Sequence, residues 1–135
     1  MQGNIKILIV DDETITLTSL VRVMEKEGYE VIGVSSGLDA LKLLEEQEFN
    51  VVFTDLKMKE VDGIQILKRC KELYPNTEVI MITGYATIEG VVSAMKNGAF
   101  HYLAKPLELD EVIKVAKEAI EKVRLKKENI QLRKS

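Results

Sequence analysis

The chain has 135 residues, 46% of them hydrophobic and 30% charged, which suits one domain that buries its own core. A net charge of −3 argues against direct nucleic-acid binding, which normally starts from a basic face. Cys70 is the only cysteine, which excludes an internal disulfide and favours a cytoplasmic setting. No segment reaches the ~20 apolar residues that span a bilayer, so we expect no membrane contact, and the N-terminus resembles that of a mature protein.

Five short aliphatic runs predict strands at 5–10, 30–34, 50–54, 78–83 and 100–104. The first, third and fourth are almost continuously apolar, as is typical of parallel strands that are covered on both faces.

Between the strands, apolar residues recur at helical spacing. The first helix contains Leu17–Met24 and ends at Gly28, and Ser36 with Asp39 resembles a capping box before the second. The other three are predicted before Pro75, before Asn97-Gly98, and from Pro106 to the C-terminus. This strict alternation predicts a doubly wound α/β fold with right-handed crossovers.

Polar residues follow four of the predicted strands. Asp11, Asp12 and Glu13 come after the first strand, Asp55 ends the third, Thr83 the fourth, and Lys105 follows the fifth. Ligands of such sheets collect at the carboxyl ends of the strands, so these groups should meet there. Carboxylates from two strands suit Mg²⁺, and the lysine and hydroxyl suit an incoming phosphoryl group. Asp55 is then the nucleophile.

Each of these residues also has a simpler interpretation. The three acids can begin a helix, where they favour its dipole, and this is the preferred interpretation of Glu13. Asp55, Thr83 and Lys105 taken singly are ordinary loop, strand-end and surface residues. Four complementary groups at four strand ends argue for the site. Cys70 fits a helix core, and His101 is interpreted as a surface residue rather than a phosphate relay.

The pattern resembles the receiver domain of bacterial two-component response regulators. The resemblance rests on Asp11-Asp12, Asp55, Thr83, Lys105-Pro106 and Asp62-Gly63, and it covers residues 5 to about 122. It implies a flavodoxin-like sheet of order 2-1-3-4-5 and a cis Lys105–Pro106 bond. It also implies a Mg²⁺ site formed by Asp12, Asp55, Asp11 through water, and the backbone carbonyl of Lys57.

The resemblance implies a phosphoacceptor rather than an enzyme. Asp55 would accept a phosphoryl group from a sensor histidine kinase, with weak Mg²⁺-dependent self-phosphorylation and self-dephosphorylation. Thr83 and Tyr102 would form the switch that acts on the fourth helix, fifth strand and fifth helix. Strand alternation predicts that Tyr102 points outward before switching. Lys59 stands where the family often has proline, so we expect a more mobile loop with an extra positive charge.

The segment 82–112 is similar to receivers of nitrogen-regulatory-type (sigma-54-dependent) activators. Those proteins carry a central ATPase and a C-terminal DNA-binding domain, so the resemblance implies an output domain that controls transcription. The chain is either such a receiver excised from a longer protein or a stand-alone one.

Three other functions fit the sequence less well. A flavodoxin-type cofactor carrier needs a phosphate-cradling loop after the first strand, where three acids stand instead. An Asp-nucleophile phosphatase needs an acid two residues after Asp55, where Lys57 stands. A degenerate receiver that acts only by binding is disfavoured because every chemical position is present.

The C-terminal helix is longer than the receiver, which we place at 1–120, with a helical linker or dimerisation tail at 121–135. Seven residues of this helix, apolar except for one lysine, are spaced 4, 3, 4, 3, 4, 3 along the chain, which predicts a coiled-coil seam. The seam consists of Leu109, Ile113, Ala116, Ile120, Val123, Lys127 and Ile130. Pairing of this seam predicts a homodimer, and the alternative is a solvated tail.

Overall fold

Five strands alternate with five helices in the computed structural model, which describes residues 4–84 and 86–134, the last five by backbone alone. The elements are β1 (Lys6–Val10), α1 (Thr14–Lys26), β2 (Glu30–Val34), α2 (Gly37–Glu46), β3 (Val51–Asp55), α3 (Gly63–Leu73), β4 (Glu78–Thr83), α4 (Ile88–Lys96), β5 (His101–Ala104) and α5 (Leu109–Lys134). The strands are parallel and ordered β2-β1-β3-β4-β5, so the predicted fold and strand order are confirmed.

The sheet is covered on both faces, as the continuous apolar runs indicated. Leu8, Val52 and Met81 point to the face that carries α2, α3 and α4. Their strand neighbours, among them Ile9 and Phe53, point to the face that carries α1 and α5. Cys70 is buried, as predicted, and burial raises the pKa of its thiol to about 12. Within the described residues, no helix has the length and apolar character needed to cross a membrane.

The helix boundaries largely follow the sequence signals. α1 is followed by Gly28 at φ +95°, and the Ser36 hydroxyl accepts the Asp39 N–H at 3.1 Å. A complete capping box, which the sequence interpretation missed, begins α3: the Asp62 carboxylate accepts the Gln65 N–H at 3.0 Å, and the Gln65 side chain accepts the Asp62 N–H at 2.9 Å. The signal was present as an N-cap residue followed three residues later by glutamine.

The C-terminal helix packs on its own domain further than predicted. Its buried residues are Val112, Val115, Ala116, Ala119, Ile120 and Val123. Part of the predicted coiled-coil seam is therefore already covered, because Ala116, Ile120 and Val123 face the domain rather than a partner. Leu109 at the start of the seam is 45% exposed, whereas Ile130 at its end lies outside the described side chains.

A buried carboxylate at the opposite edge of the sheet from the strand carboxyl ends fixes α5 in this position. Glu78, the first residue of β4, is 1% exposed. Three lysines surround its carboxylate: Lys126 at 3.1 Å, Lys122 at 3.5 Å and Lys71 of α3 at 3.9 Å. A buried charge is tolerated only when it is paired, so this cluster links α3, β4 and α5. The contacts with Lys122 and Lys126 lie beyond the predicted domain boundary at residue 120.

We expect Lys126→Met to lower the free energy of unfolding by about 1 kcal/mol, because the Glu78 carboxylate loses a hydrogen-bonding cation. Methionine keeps most of the lysine stem, so the lost charge dominates the effect. Urea denaturation measures the change. Lys114→Met is the matched control, since Lys114 is exposed on the same helix outside the predicted seam and should change stability by less than ~0.5 kcal/mol. Equal effects of the two substitutions would contradict this role of Glu78.

Candidate functional site

The carboxyl edge of the sheet brings together the groups that the sequence placed after the strands. Asp11 follows β1, Asp55 ends β3 and Thr83 ends β4, and all three are buried. Asp55 pairs with Ile82 of β4, and Thr83 pairs with Ala104, the residue before Lys105. Two strand pairings therefore place Asp55, Thr83 and Lys105 at neighbouring strand ends.

Three carboxylates form the acidic cluster. Asp11, Asp12 and Asp55 each offer one oxygen, and these oxygens lie within 4.8 Å of one another. Such an arrangement of hard oxygen ligands fits a divalent cation such as Mg²⁺, which retains several waters. The Lys57 N–H donates to Asp55 Oδ1 at 3.3 Å. The predicted role of the Lys57 carbonyl as a metal ligand stays a prediction.

The Lys105 ammonium lies among the carboxylates. Its Nζ is 3.1 Å from Asp55 Oδ2, 3.0 Å from Asp11 Oδ2, and in contact with Glu13 Oε1. Burial opposes the charge, but the contacts with Glu13, Asp11 and Asp55 outweigh it and raise the pKa of Lys105. The adjacent Lys105–Pro106 bond is cis, as the resemblance implied.

The sequence interpretation of Glu13 as a helix-start residue holds for its backbone but not for its side chain. Its backbone occupies the N-cap position of α1, but its carboxylate makes no capping hydrogen bond and instead binds Lys105. The signal for this contact was the charge complementarity between the acidic run and Lys105, which are far apart in the sequence.

Asp55 is an acid in a poor environment for negative charge. Burial raises the pKa of its carboxyl group, and the negative charge of Asp11 adds to this, whereas Lys105 and the Lys57 N–H work in the opposite direction. The net effect is a raised pKa, so in the metal-free site the charged form of Asp55 is destabilised relative to the protonated form. A divalent cation bound by the acidic cluster would offset that cost.

The prediction that Tyr102 points outward is wrong for this structure. Its ring packs against the core on the α4 side, and its hydroxyl oxygen is buried with no hydrogen bond in the described residues. Burial and the charge of Asp55 raise the pKa of its phenol. Strand alternation gives only the face of the sheet, and on this face the ring packs against the buried core cluster. His101, at the start of β5, is half-buried.

The loop between β3 and α3 forms one side of the mouth of the site. Lys57 and Lys59 are both exposed, so the extra positive charge predicted from Lys59 is present. Glu60 has φ +66°, a conformation that residues other than glycine rarely adopt. The predicted mobility of this loop stays a prediction.

Asp12→Ala is expected to remove most of the stabilisation by Mg²⁺, which is about 2.7 kcal/mol when the ion is at 100 times its dissociation constant. With EDTA, the variant should be at least as stable as the wild type, because one of three neighbouring like charges is gone. Thermal unfolding with and without Mg²⁺ measures both effects. Asp39→Ala, far from the cluster, should leave the Mg²⁺ response unchanged, and an intact response in Asp12→Ala would remove Asp12 from the metal site.

A doubly wound five-stranded sheet with three carboxylates, a threonine and a lysine at its carboxyl edge is the arrangement that the resemblance to receiver domains implied. Comparison with known families matches residues 7–117 to the response regulator receiver domain. The chain belongs to that family, which confirms the prediction from the sequence.

The chain is similar to larger regulators and to solved receivers. It is 42% identical to the transcriptional regulatory protein ZraR of Escherichia coli K12 over 109 residues, which are 81% of this chain and 25% of that protein. It is 37% identical over 131 residues to a putative NtrX-like response regulator of Rickettsia bellii RML369-C, and the match covers 96% of this chain and 27% of that protein. The chain thus spans about a quarter of these relatives.

Among solved structures, the CheY-like receiver of Methanospirillum hungatei JF-1 has a TM-score of 0.89 and 32% identity, covering 92% of this chain and 99% of that one. NtrX of Brucella abortus has a TM-score of 0.88 and 32% identity, and the match covers 96% of this chain and 30% of that one. These names agree with the predicted resemblance to nitrogen-regulatory-type receivers.

Proposed function

We propose that the chain is a Mg²⁺-dependent phosphoacceptor in which Asp55 receives a phosphoryl group from a sensor histidine kinase. The observation that carries the proposal is the Asp55 carboxylate itself: it is nearly buried, 3.1 Å from the Lys105 ammonium, and part of the three-carboxylate cluster. A nucleophile, a cation for the developing charge and a metal site are the parts that phosphoryl transfer requires.

Asp11, Asp12 and Asp55 would hold the metal with their side chains, and Lys57 with its backbone carbonyl. The metal supplies charge neutralisation between the acids and the phosphoryl oxygens. An Asp55 oxygen attacks phosphorus, and the bond from phosphorus to the donor breaks with its electron pair leaving on the donor. Lys105 donates a hydrogen bond to one phosphoryl oxygen, and the Thr83 hydroxyl turns to another.

The chain acts as a substrate of the kinase and not as an enzyme, apart from weak Mg²⁺-dependent self-phosphorylation and self-dephosphorylation. Intact mass after incubation with acetyl phosphate tests this. We expect a gain of one phosphoryl group only when Mg²⁺ is present. No gain with Mg²⁺ would leave a receiver that acts by binding alone, and a gain with EDTA would contradict the role of the metal.

The kinase donor would approach Asp55 through an open groove beside the site. The groove is lined by residues of the β1–α1 loop, α1, the β3–α3 loop, the β5–α5 loop and the start of α5, namely Asp12, Ile15, Thr16, Lys59, Pro106 and Leu109. Ile15 is 83% exposed and Leu109 is 45% exposed, so the groove offers apolar contact area close to Asp55. We assign this surface to the kinase.

The output side is α4, β5 and α5. α4 has nine residues, of which only Ala94 is fully buried, and Ile88, Val92 and Met95 are exposed. A helix with so few buried contacts opens at low cost, so it suits a movable element. Thr83 and Tyr102 link it to the site. Because ZraR is named a transcriptional regulatory protein, we propose that the domain controls a transcriptional output within a longer chain.

The domain forms a homodimer through α5, from about Arg124 onward, because the seam residues Ala116, Ile120 and Val123 are covered by the domain itself. Sedimentation of the full chain and of a version ending at Lys126, which lacks Lys127 and Ile130, the seam residues after Val123, tests this. The shorter version keeps Val123 and Lys126, so it preserves the packing around Glu78. A dimer that survives this truncation would move the interface elsewhere, and a monomeric full chain, with and without a phosphoryl mimic, would exclude a dimer.

A further inference from the structure

The Lys105 ammonium is already engaged by carboxylates before any phosphoryl group arrives: it donates hydrogen bonds to Glu13 and Asp55, and Asp11 Oδ2 lies 3.0 Å away as an ion pair without a hydrogen bond. An ammonium has three N–H donors, and three carboxylates, of Asp11, Glu13 and Asp55, lie within ion-pair distance of it. Only 14% of the Lys105 side chain is exposed, which limits the room for a fourth partner. A phosphoryl oxygen on Asp55 therefore competes with carboxylates that already contact Lys105, and it gains the full strength of the ammonium only when one of them moves away.

The three carboxylates differ in how strongly burial and backbone hydrogen bonds restrain their side chains. Asp11 is buried, and its Oδ1 accepts the Glu13 N–H at 2.8 Å. The Asp55 side chain is 6% exposed, and its Oδ1 accepts the Lys57 N–H. Both are fixed by backbone donors. The Glu13 side chain is 60% exposed, so water is ready to replace Lys105 as its partner.

Apart from Lys105, the Glu13 side chain interacts with the hydroxyl of Thr16, a weaker contact than the one with Lys105. Its backbone forms the N-cap of α1, but the side chain makes no capping bond, so it adds little to the helix. It lines the groove through which a donor reaches Asp55, together with Lys105. The carboxylate thus lies between solvent and the ammonium that the phosphoryl group needs.

We propose that Glu13 is a positioning residue for Lys105, and that it is the carboxylate displaced when a phosphoryl group enters. Before transfer it holds the ammonium; on transfer one N–H leaves the Glu13 oxygen and donates to a phosphoryl oxygen. No proton is transferred, and the bonds at phosphorus change as in the proposed function, on which this inference rests. Glu13 thereby restrains phosphorylation, both by occupying Lys105 and by repelling an anionic donor.

The test compares Glu13→Gln with the wild type in the rate of phosphoryl uptake from acetyl phosphate with Mg²⁺. We expect the variant to react about fivefold faster, the size of effect that loss of an exposed ion pair produces. The affinity for beryllium trifluoride with Mg²⁺, a phosphoryl mimic that involves no transfer, should rise by a similar factor. Glu13→Asp, which keeps the charge on a shorter side chain, should lie between the two.

Two controls separate the possible failures. Glu60→Gln removes an exposed charge from the nearby β3–α3 loop, which is not among the three carboxylates that contact Lys105, and it should leave the rate unchanged. If Glu60→Gln accelerates uptake equally, or if Glu13→Gln is unchanged or slower, the inference is overturned while the proposed function stands. If the wild type itself takes up no phosphoryl group, the proposed function fails first.

Discussion

Replacement of Asp55 by asparagine is expected to abolish phosphoryl uptake and leave the fold intact. An amide has nearly the same shape as the carboxylate but is not a nucleophile, and it removes one anionic metal ligand. The Asp55 side chain is 6% exposed, so a substitution of similar shape preserves the packing. Intact mass after acetyl phosphate and Mg²⁺ measures the loss, which should be complete. Asp39→Asn, on the exposed side of α2, should react fully, and full stoichiometry in Asp55→Asn would place the phosphoryl group elsewhere.

The same variant is expected to be more stable than the wild type when metal is chelated at neutral pH. The pKa of Asp55 is raised above its ordinary value of 3.8, chiefly by burial. The Asp55 carboxyl group therefore binds a proton more tightly in the folded protein than in the unfolded chain. The free energy of unfolding consequently falls as pH rises from near 3.8 through the raised pKa of Asp55. Urea unfolding in EDTA from pH 4 to 7 should show this decline in the wild type, and it should be smaller in Asp55→Asn.

Gly63→Ala is expected to lower the free energy of unfolding by about 3 kcal/mol or more, a larger loss than we expect from Lys126→Met. A Cβ at this position would lie 2.3 Å from the backbone oxygen of Asp55 and 2.9 Å from Leu56 Cα. These contacts are with backbone, so they cannot be relieved by rotating a side chain. The strand end that carries Asp55 must shift, and we expect phosphoryl uptake to fall as well.

Gly84→Ala is the matched control for this prediction. It lies at the same edge of the sheet, but its added Cβ would come no closer than 3.9 Å to the Lys105 side chain. Urea denaturation should therefore show a change of less than ~1 kcal/mol for Gly84→Ala. A similarly small change for Gly63→Ala would mean that the approach of α3 to Asp55 is looser than in this structure.

Local sequence alone was sufficient for the alternation of strands and helices and for the edge of the sheet at which the central site lies. Continuous apolar runs predicted buried parallel strands, and helical spacing predicted the segments between them. Once the strands are parallel, their carboxyl ends share one edge, so Asp11, Asp55, Thr83 and Lys105 had to meet. The family resemblance supplied the strand order, which periodicity does not contain. The strands and helices themselves are determined locally because each depends on residues a few positions apart.

Only the tertiary structure decided the contacts between distant segments. Glu13 and Lys105 are 92 residues apart and Glu78 and Lys126 are 48 apart, so no local pattern indicates either pair. The seam of α5 had the spacing of a coiled coil, but that spacing shows only that one face is apolar, and its own domain covers that face to Val123. For Tyr102, strand alternation gave a face, and the packing of the core cluster on that face decided that the ring lies against it with its hydroxyl buried. The partner of a charged or apolar side chain is the group that lies nearest to it in the folded chain. Which group that is depends on how whole helices and strands pack together, and a local sequence pattern does not contain this information.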